Sequence, residues 1–154
     1  MLRIFNYLKQ NYPESLATAM VQEDLDLLKQ NFIKHQLPLP ESDDFWIEYF
    51  IHDGLAFNGC LLFSVKMDAL WEHGFSLPDL LTENIQYHSK YHLFEHYSPG
   101  MIFIGRNDEE VIVYNSKTEI FSLLAREDLM PYYESKDRAE IICHGMYMNI
   151  EQLQ

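Results

Sequence analysis

Basic residues are scarce in this chain. Lys and Arg total 11 against 24 Asp and Glu, which leaves a formal charge of −13 with histidine neutral. Nucleic-acid affinity rests on cationic contacts to phosphate, so this balance argues against nucleic acid and against anionic lipid surfaces as partners. Cysteine is almost absent. Cys60 and Cys143 stand alone, each inside an apolar run, and read as small buried hydrophobes. One bridge between them is possible but a disulfide framework is not, which favours a reducing compartment. No apolar run approaches the roughly 20 residues needed to span a bilayer. Met1–Gln10 has no apolar stretch followed by a small-residue cleavage site. A soluble, cytoplasmic protein is expected.

Apolar material is plentiful. Apolar residues make up 47% of the chain and aromatics 14%, enough for a ring-rich core and too much for disorder. The 154 residues carry no internal repeat, low-complexity tract or linker and fit one domain, residues 1–154.

The hydrophobic period changes along the chain. The first forty residues read as helical, with Val21, Leu25, Leu28 and Phe32 at helical spacing until Leu37-Pro38-Leu39-Pro40 stops the run. A second helix is expected after Ser42 as N-cap, with Phe45, Trp46, Tyr49 and Phe50 on its buried face. The chain then turns at Asp53-Gly54, and Asn58-Gly59 supplies a two-residue hairpin turn between Leu55–Phe57 and Cys60–Val65. A polar stretch with Trp71 leads to Ser76-Leu77-Pro78-Asp79, a helix start with Ser as cap, for a helix running to about Tyr87 or somewhat further.

From Met101 the pattern is that of strands. Met101–Gly105, Val111–Tyr114 and Ile120–Leu124 alternate with turn-rich segments and predict a three-stranded meander. These runs are apolar almost throughout, so helices should cover much of the sheet. A final helix is expected within Asp137–Tyr147. The fold class is α+β: one domain, with an antiparallel sheet made of a hairpin and a meander, packed by N-terminal and C-terminal helices.

One segment matches a catalytic pattern. His92-Leu93-Phe94-Glu95-His96 fits H-x-x-E-H, in which two histidines one helical turn apart bind zinc and the glutamate polarises water. His88 extends the spacing by one turn. A chain with seven histidines meets so short a pattern by chance, no downstream helix offers a third ligand, and Pro99-Gly100 ends the segment at once. His88, His92 and His96 therefore read as a partly exposed histidine stripe that is protonated at times, and neither metal nor cofactor is expected. Nucleophile elbows and phosphate-binding glycine loops are missing from the sequence, and neither cysteine has cations beside it to favour a thiolate. Gly59, Gly105, Trp46 and Tyr114 read as structural. The exposed acidic positions Asp43, Asp44, Glu48, Asp108, Glu109 and Glu110 are the candidates for contact with a cationic partner.

Three segments together resemble a known family. They are the Leu37-Pro38 break followed by Phe45-Trp46-Ile47-Glu48-Tyr49-Phe50 and Asp53-Gly54; the hairpin Leu55-Ala56-Phe57-Asn58-Gly59-Cys60-Leu61-Leu62-Phe63; and Met101-Ile102-Phe103-Ile104-Gly105-Arg106-Asn107-Asp108-Glu109 leading into Val111–Tyr114 and Thr118–Phe121. Over residues 18–125 the chain resembles the SUKH superfamily, which contains fungal cell-wall-synthesis regulators and bacterial polymorphic-toxin immunity proteins. Asp53-Gly54 stands where the family commonly has Asn-Gly, and Arg106–Glu110 where many members have a glycine-rich turn. The resemblance implies a non-catalytic binding module that sits on a toxin domain, often a nuclease, and blocks it; no partner-binding residue is carried over. The net charge independently suits a basic toxin partner. The alternatives are a regulatory or scaffold protein of the same fold and a small zinc-dependent hydrolase using His88, His92, Glu95 and His96.

Overall fold

Six strands form one antiparallel sheet in the order β1-β2-β3-β4-β5-β6 in a computed structural model that describes residues 1–67 and 76–153. The strands are β1 (Leu55–Phe57), β2 (Cys60–Leu62), β3 (Met101–Arg106), β4 (Glu110–Asn115), β5 (Ile120–Ala125) and β6 (Pro131–Ser135). The helices among the described residues are α1 (Leu2–Asn11), α2 (Gln22–Lys34), α3 (Asp44–Ile47), α4 (Leu80–Tyr91) and α5 (Arg138–Gly145). The chain is thus α+β, with a hairpin and a meander in one sheet. The polar stretch around Trp71 lies outside the described residues.

Register divides the meander into two buried faces. Ile102 pairs with Tyr114 and Tyr114 with Phe121, while Ile112 pairs with Leu123; α5 packs across β4, β5 and β6 on this side. Phe103 pairs with Val113 on the other side, where Tyr87 and Tyr91 of α4 lie against the Phe103 ring at 4.9 and 6.1 Å. Helices on both faces explain why the strands are almost unbroken in apolar character. Two glycines meet specific demands. Asn58 and Gly59 have φ of 50° and 79°, the left-handed pair that a two-residue hairpin turn requires. At Gly105 a Cβ would stand 2.5 Å from the Leu61 carbonyl oxygen across the ladder, so no side chain fits.

The join between β2 and β3 is incomplete and is repaired by a side chain. β2 pairs with β3 only at Leu61–Arg106 and Leu62–Gly105, and after Phe63 the chain leaves to bridge Ser64 with Asp79. The Phe103 N–H and C=O therefore have no strand neighbour on that side. Fully buried Asn84 takes both: its Oδ1 accepts from the Phe103 N–H and its Nδ2 donates to the Phe103 carbonyl, each at 2.8 Å. One carboxamide thus welds α4 to the sheet.

Several expectations need correction. Residues 12–21 are not α-helical: Pro13 opens a single 3₁₀ turn (Pro13–Ser15), and Leu16 then bridges Leu55 at the β1 edge. The second helix is short, four α residues followed by a 3₁₀ turn (Glu48–Phe50); Ser42 lies one position before its first flanking residue, Asp43, yet its hydroxyl accepts from the Asp44 N–H at 3.2 Å, as a capping side chain does. Phe45, Trp46 and Tyr49 are buried but Phe50 is 39% exposed, because the tightened 3₁₀ turn rotates it off the core face. The α4 cap is Asp79, whose Oδ1 accepts from the Thr82 N–H at 2.8 Å, and not Ser76. Strand β6 was not expected; Pro131 hides it from a propensity count, yet proline is tolerated as the first residue of an edge strand.

Asp53 is a buried carboxylate at the turn before β1. It accepts from the N–H groups of Val65 and Lys66 at 2.6 and 2.9 Å, yet burial outweighs these bonds and pushes its pKa up to about 6. A carboxyl whose folded pKa lies above its unfolded value binds its proton more readily when folded. Stability from this group is therefore gained as pH falls from 7 through 6 towards 4, and lost on the way back up. Thermal melts of wild type and Asp53→Asn across that window should differ in slope, with the falling-pH gain confined to wild type. Asn84→Leu should cost about 2–4 kcal/mol in chemical denaturation by stranding two buried backbone groups. Trp46→Ala should cost about 3–5 kcal/mol, and Phe50→Ala far less.

Candidate functional site

Arg138 organises the surface on which three of the six acidic candidates lie. The residue opens α5, where a cation meets the positive end of the helix dipole; Asp137, the N-cap, offsets this by accepting from the Ala139 N–H at 3.0 Å. The guanidinium is buried over the Phe45 ring at 4.3 Å and the Phe121 ring at 5.0 Å. It donates to the Phe45 carbonyl at 2.9 Å and pairs with the Glu48 carboxylate at 2.9 Å. Burial holds the neighbouring Tyr49 phenol up at about 12, partly countered by the Arg138 charge. Four elements meet at this one side chain: α3, its 3₁₀ continuation, β5 and α5.

Beside this pair lies a cavity of about 410 Å³. Its walls include Asp44, Phe45 and Glu48, the rings of Tyr114 and Phe121, Glu119 from the β4–β5 turn, and the Lys136–Arg138 segment. Phe45 and Tyr114 meet at 4.8 Å, as do Tyr114 and Phe121, so the apolar wall is a continuous row of rings. Asp137 also reaches Arg3 at 3.7 Å across exposed side chains. Glu48 is committed internally to Arg138. The cavity thus offers aromatic surface with exposed carboxylates at Asp44 and Glu119 and a counter-charge at Lys136.

The other three candidates belong to a different place. Asp108, Glu109 and Glu110 form the β3–β4 turn, at the opposite end of β4 from Tyr114. Three residues of strand, Val111–Val113, separate Glu110 from Tyr114 of the ring row, about 13 Å. Buried Asn107 builds this turn: its Oδ1 accepts from the Glu109 and Glu110 N–H groups at 3.0 and 2.8 Å. Its Nδ2 donates to the Glu110 carboxylate at 2.9 Å and to the Gly145 carbonyl at 3.0 Å. Arg126 also donates to the carbonyls of Asn107 and Asp108, at 3.2 Å each. The six acidic residues therefore make two separate patches, with Glu48 and Glu110 engaged by structural partners.

The histidine segment does not form the expected stripe. Helix α4 stops at Tyr91, so His92, Glu95 and His96 lie in the turns beyond it and share no helical face with His88. His88 is half-buried, with Nδ1 bonded to the Tyr97 hydroxyl at 2.6 Å and its ring edge against Phe103 at 5.4 Å; burial lowers its pKa and favours the neutral form. It is half-buried and favours its neutral form, where a partly exposed group protonated at times was expected. His92 Nδ1 meets the Ser89 carbonyl at 2.8 Å. Among the described residues no three His, Cys, Asp or Glu side chains gather as a metal site. Both cysteines are free and buried, with burial pushing the Cys60 thiol up to about 12 and Cys143 to about 11, which disfavours a thiolate.

Comparison with known proteins gives no match to a family model and no significant match to a curated protein. Among the described residues no helix is long and apolar enough to cross a membrane. Arg138, Glu119 and Phe121 carried no sequence signal of a shared site, since the fold brings them to α3 from roughly 70 to 90 positions away in the chain. Arg138→Ala should destabilise the protein by about 2–4 kcal/mol, because the partly buried Glu48 carboxylate loses its partner. A double-mutant cycle with Glu48→Gln should return a coupling of at least about 1 kcal/mol in urea denaturation.

Proposed function

We propose that the protein is a non-catalytic acidic binding module of the immunity type, which holds and neutralises a basic toxin domain, a nuclease by preference. The observation that carries this reading is the Asp43–Asp44 edge beside an aromatic-walled cavity, on a chain of net charge −13. Carboxylates set against a rigid ring row present negative charge where a nucleic-acid enzyme expects phosphate, and the overall field speeds encounter with a cationic surface. The resemblance of residues 18–125 to the SUKH superfamily supports the same assignment. Glu48 has a structural part here, since it fixes Arg138, and the contact role falls to Asp43 and Asp44.

The test is co-expression with the basic protein that co-purifies with the tagged chain from its native host. The wild-type chain should abolish that protein's toxicity, and the double substitution Asp43→Lys/Asp44→Lys should slow association about tenfold or more at low salt with the fold intact by circular dichroism. A co-purifying protein that is acidic or harmless, or an association rate unchanged by the two substitutions, would remove the reading.

A further inference from the structure

Segment Asp43–Ile51 buries one face and leaves the other apolar. Phe45, Trp46 and Tyr49 are in the core, while Ile47, Phe50 and Ile51 are 53%, 39% and 41% exposed. Ile47 and Phe50 stand three apart, one turn of 3₁₀ geometry, with Ile51 next in the chain, so the three exposed side chains gather on the outward side, and Asp43 and Asp44 precede Ile47 by four and three residues. A contiguous apolar ridge of this kind is costly to leave in water and marks an interaction surface when polar groups rim it. The ridge is also held rigidly. Tyr49 accepts the Met20 N–H through its carbonyl at 3.0 Å, and the Arg138 guanidinium fastens Phe45 and Glu48.

Resting on the binding-module reading above, we propose that this ridge is the centre of the interface. Its occupant is a basic protein surface with an apolar cleft that receives Ile47, Phe50 and Ile51. Around that cleft a lysine or arginine reaches Asp43 and Asp44, beside the 410 Å³ cavity that the exposed Glu119 also lines. Charge decides the occupant. A second copy would set Asp43 and Asp44 against their own like in a chain already at −13, and an anionic membrane would be repelled for the same reason. A basic protein gains at both the apolar centre and the acidic rim.

The experiment places a photo-crosslinking p-benzoylphenylalanine singly at positions 47, 50 and 51, and as controls at the exposed positions Leu93, Tyr132 and Tyr147 on other elements. Each full-length variant is irradiated in the native host. The expected result is an adduct at 47, 50 and 51 with a single basic protein, at least tenfold above the controls. Phe50→Ser should then weaken binding of that purified protein at least tenfold, and Tyr132→Ser less than twofold, both variants keeping the wild-type circular dichroism spectrum. Adducts with the same basic protein only at control positions would overturn this surface and leave the binding-module reading standing. Adducts between two copies of this chain, or none with a basic protein at any position, would overturn both.

Discussion

The geometry of the acidic face depends on a buried cation. Arg138 is the polar link from the short α3 segment to α5, added to the ring contact of Phe45 with Tyr114 of the sheet, since four α residues and a 3₁₀ turn carry little stability of their own. The guanidinium answers a carboxylate, a backbone carbonyl and two ring faces at once. Each of those partners would be poorly placed without the others. A desolvated ion pair of this kind adds little net stability, but it fixes a unique arrangement, here the seating of α3 against Tyr114 and Phe121. The exposed side of the segment, with its carboxylates and its apolar ridge, inherits that rigidity.

A second polar contact of the same character acts at the far side of the sheet. Asn84 stands in for the part of β2 that turns away, and lets β3 end its pairing with β2 early without stranding Phe103. The departure of β2 in turn permits the Asp53 carboxylate to gather the Val65 and Lys66 N–H groups in the space before α4. Irregular backbone in the centre of the molecule is thus satisfied by two short side chains in place of a ladder, and the hydrophobic core closes around both.

Much of this architecture is legible in the sequence because it follows local rules. Asn58-Gly59 forces its turn by left-handed preference alone, and the strand runs after Met101 show their period without tertiary help. Failures arose where tertiary contact overrides pattern. Phe50 fits a helical period, but the 3₁₀ tightening after Ile47 turns it outward. β6 begins with proline, which the edge position tolerates. His88 resembled its neighbours in the chain, yet α4 buries it against Phe103 and Tyr97 while His92 falls past the helix end. For the candidate site, Asp43 and Asp44 were visible as acidic and exposed. Arg138 and Glu119 were not, because their roles exist only once β5 and α5 have packed against α3. The separation of Asp108–Glu110 from Asp43–Glu48 likewise depends on strand register, which composition does not contain.

In the proposed binding role, a basic protein docks on the acidic face through long-range charge and the apolar ridge. This docking is tested most directly by stopped-flow measurement of the association rate with the purified co-isolated partner across a series of salt concentrations. The association rate should fall steeply as salt rises while the dissociation rate changes little, because salt screens the long-range field and leaves the apolar contact at the ridge intact. An association rate indifferent to salt would contradict it.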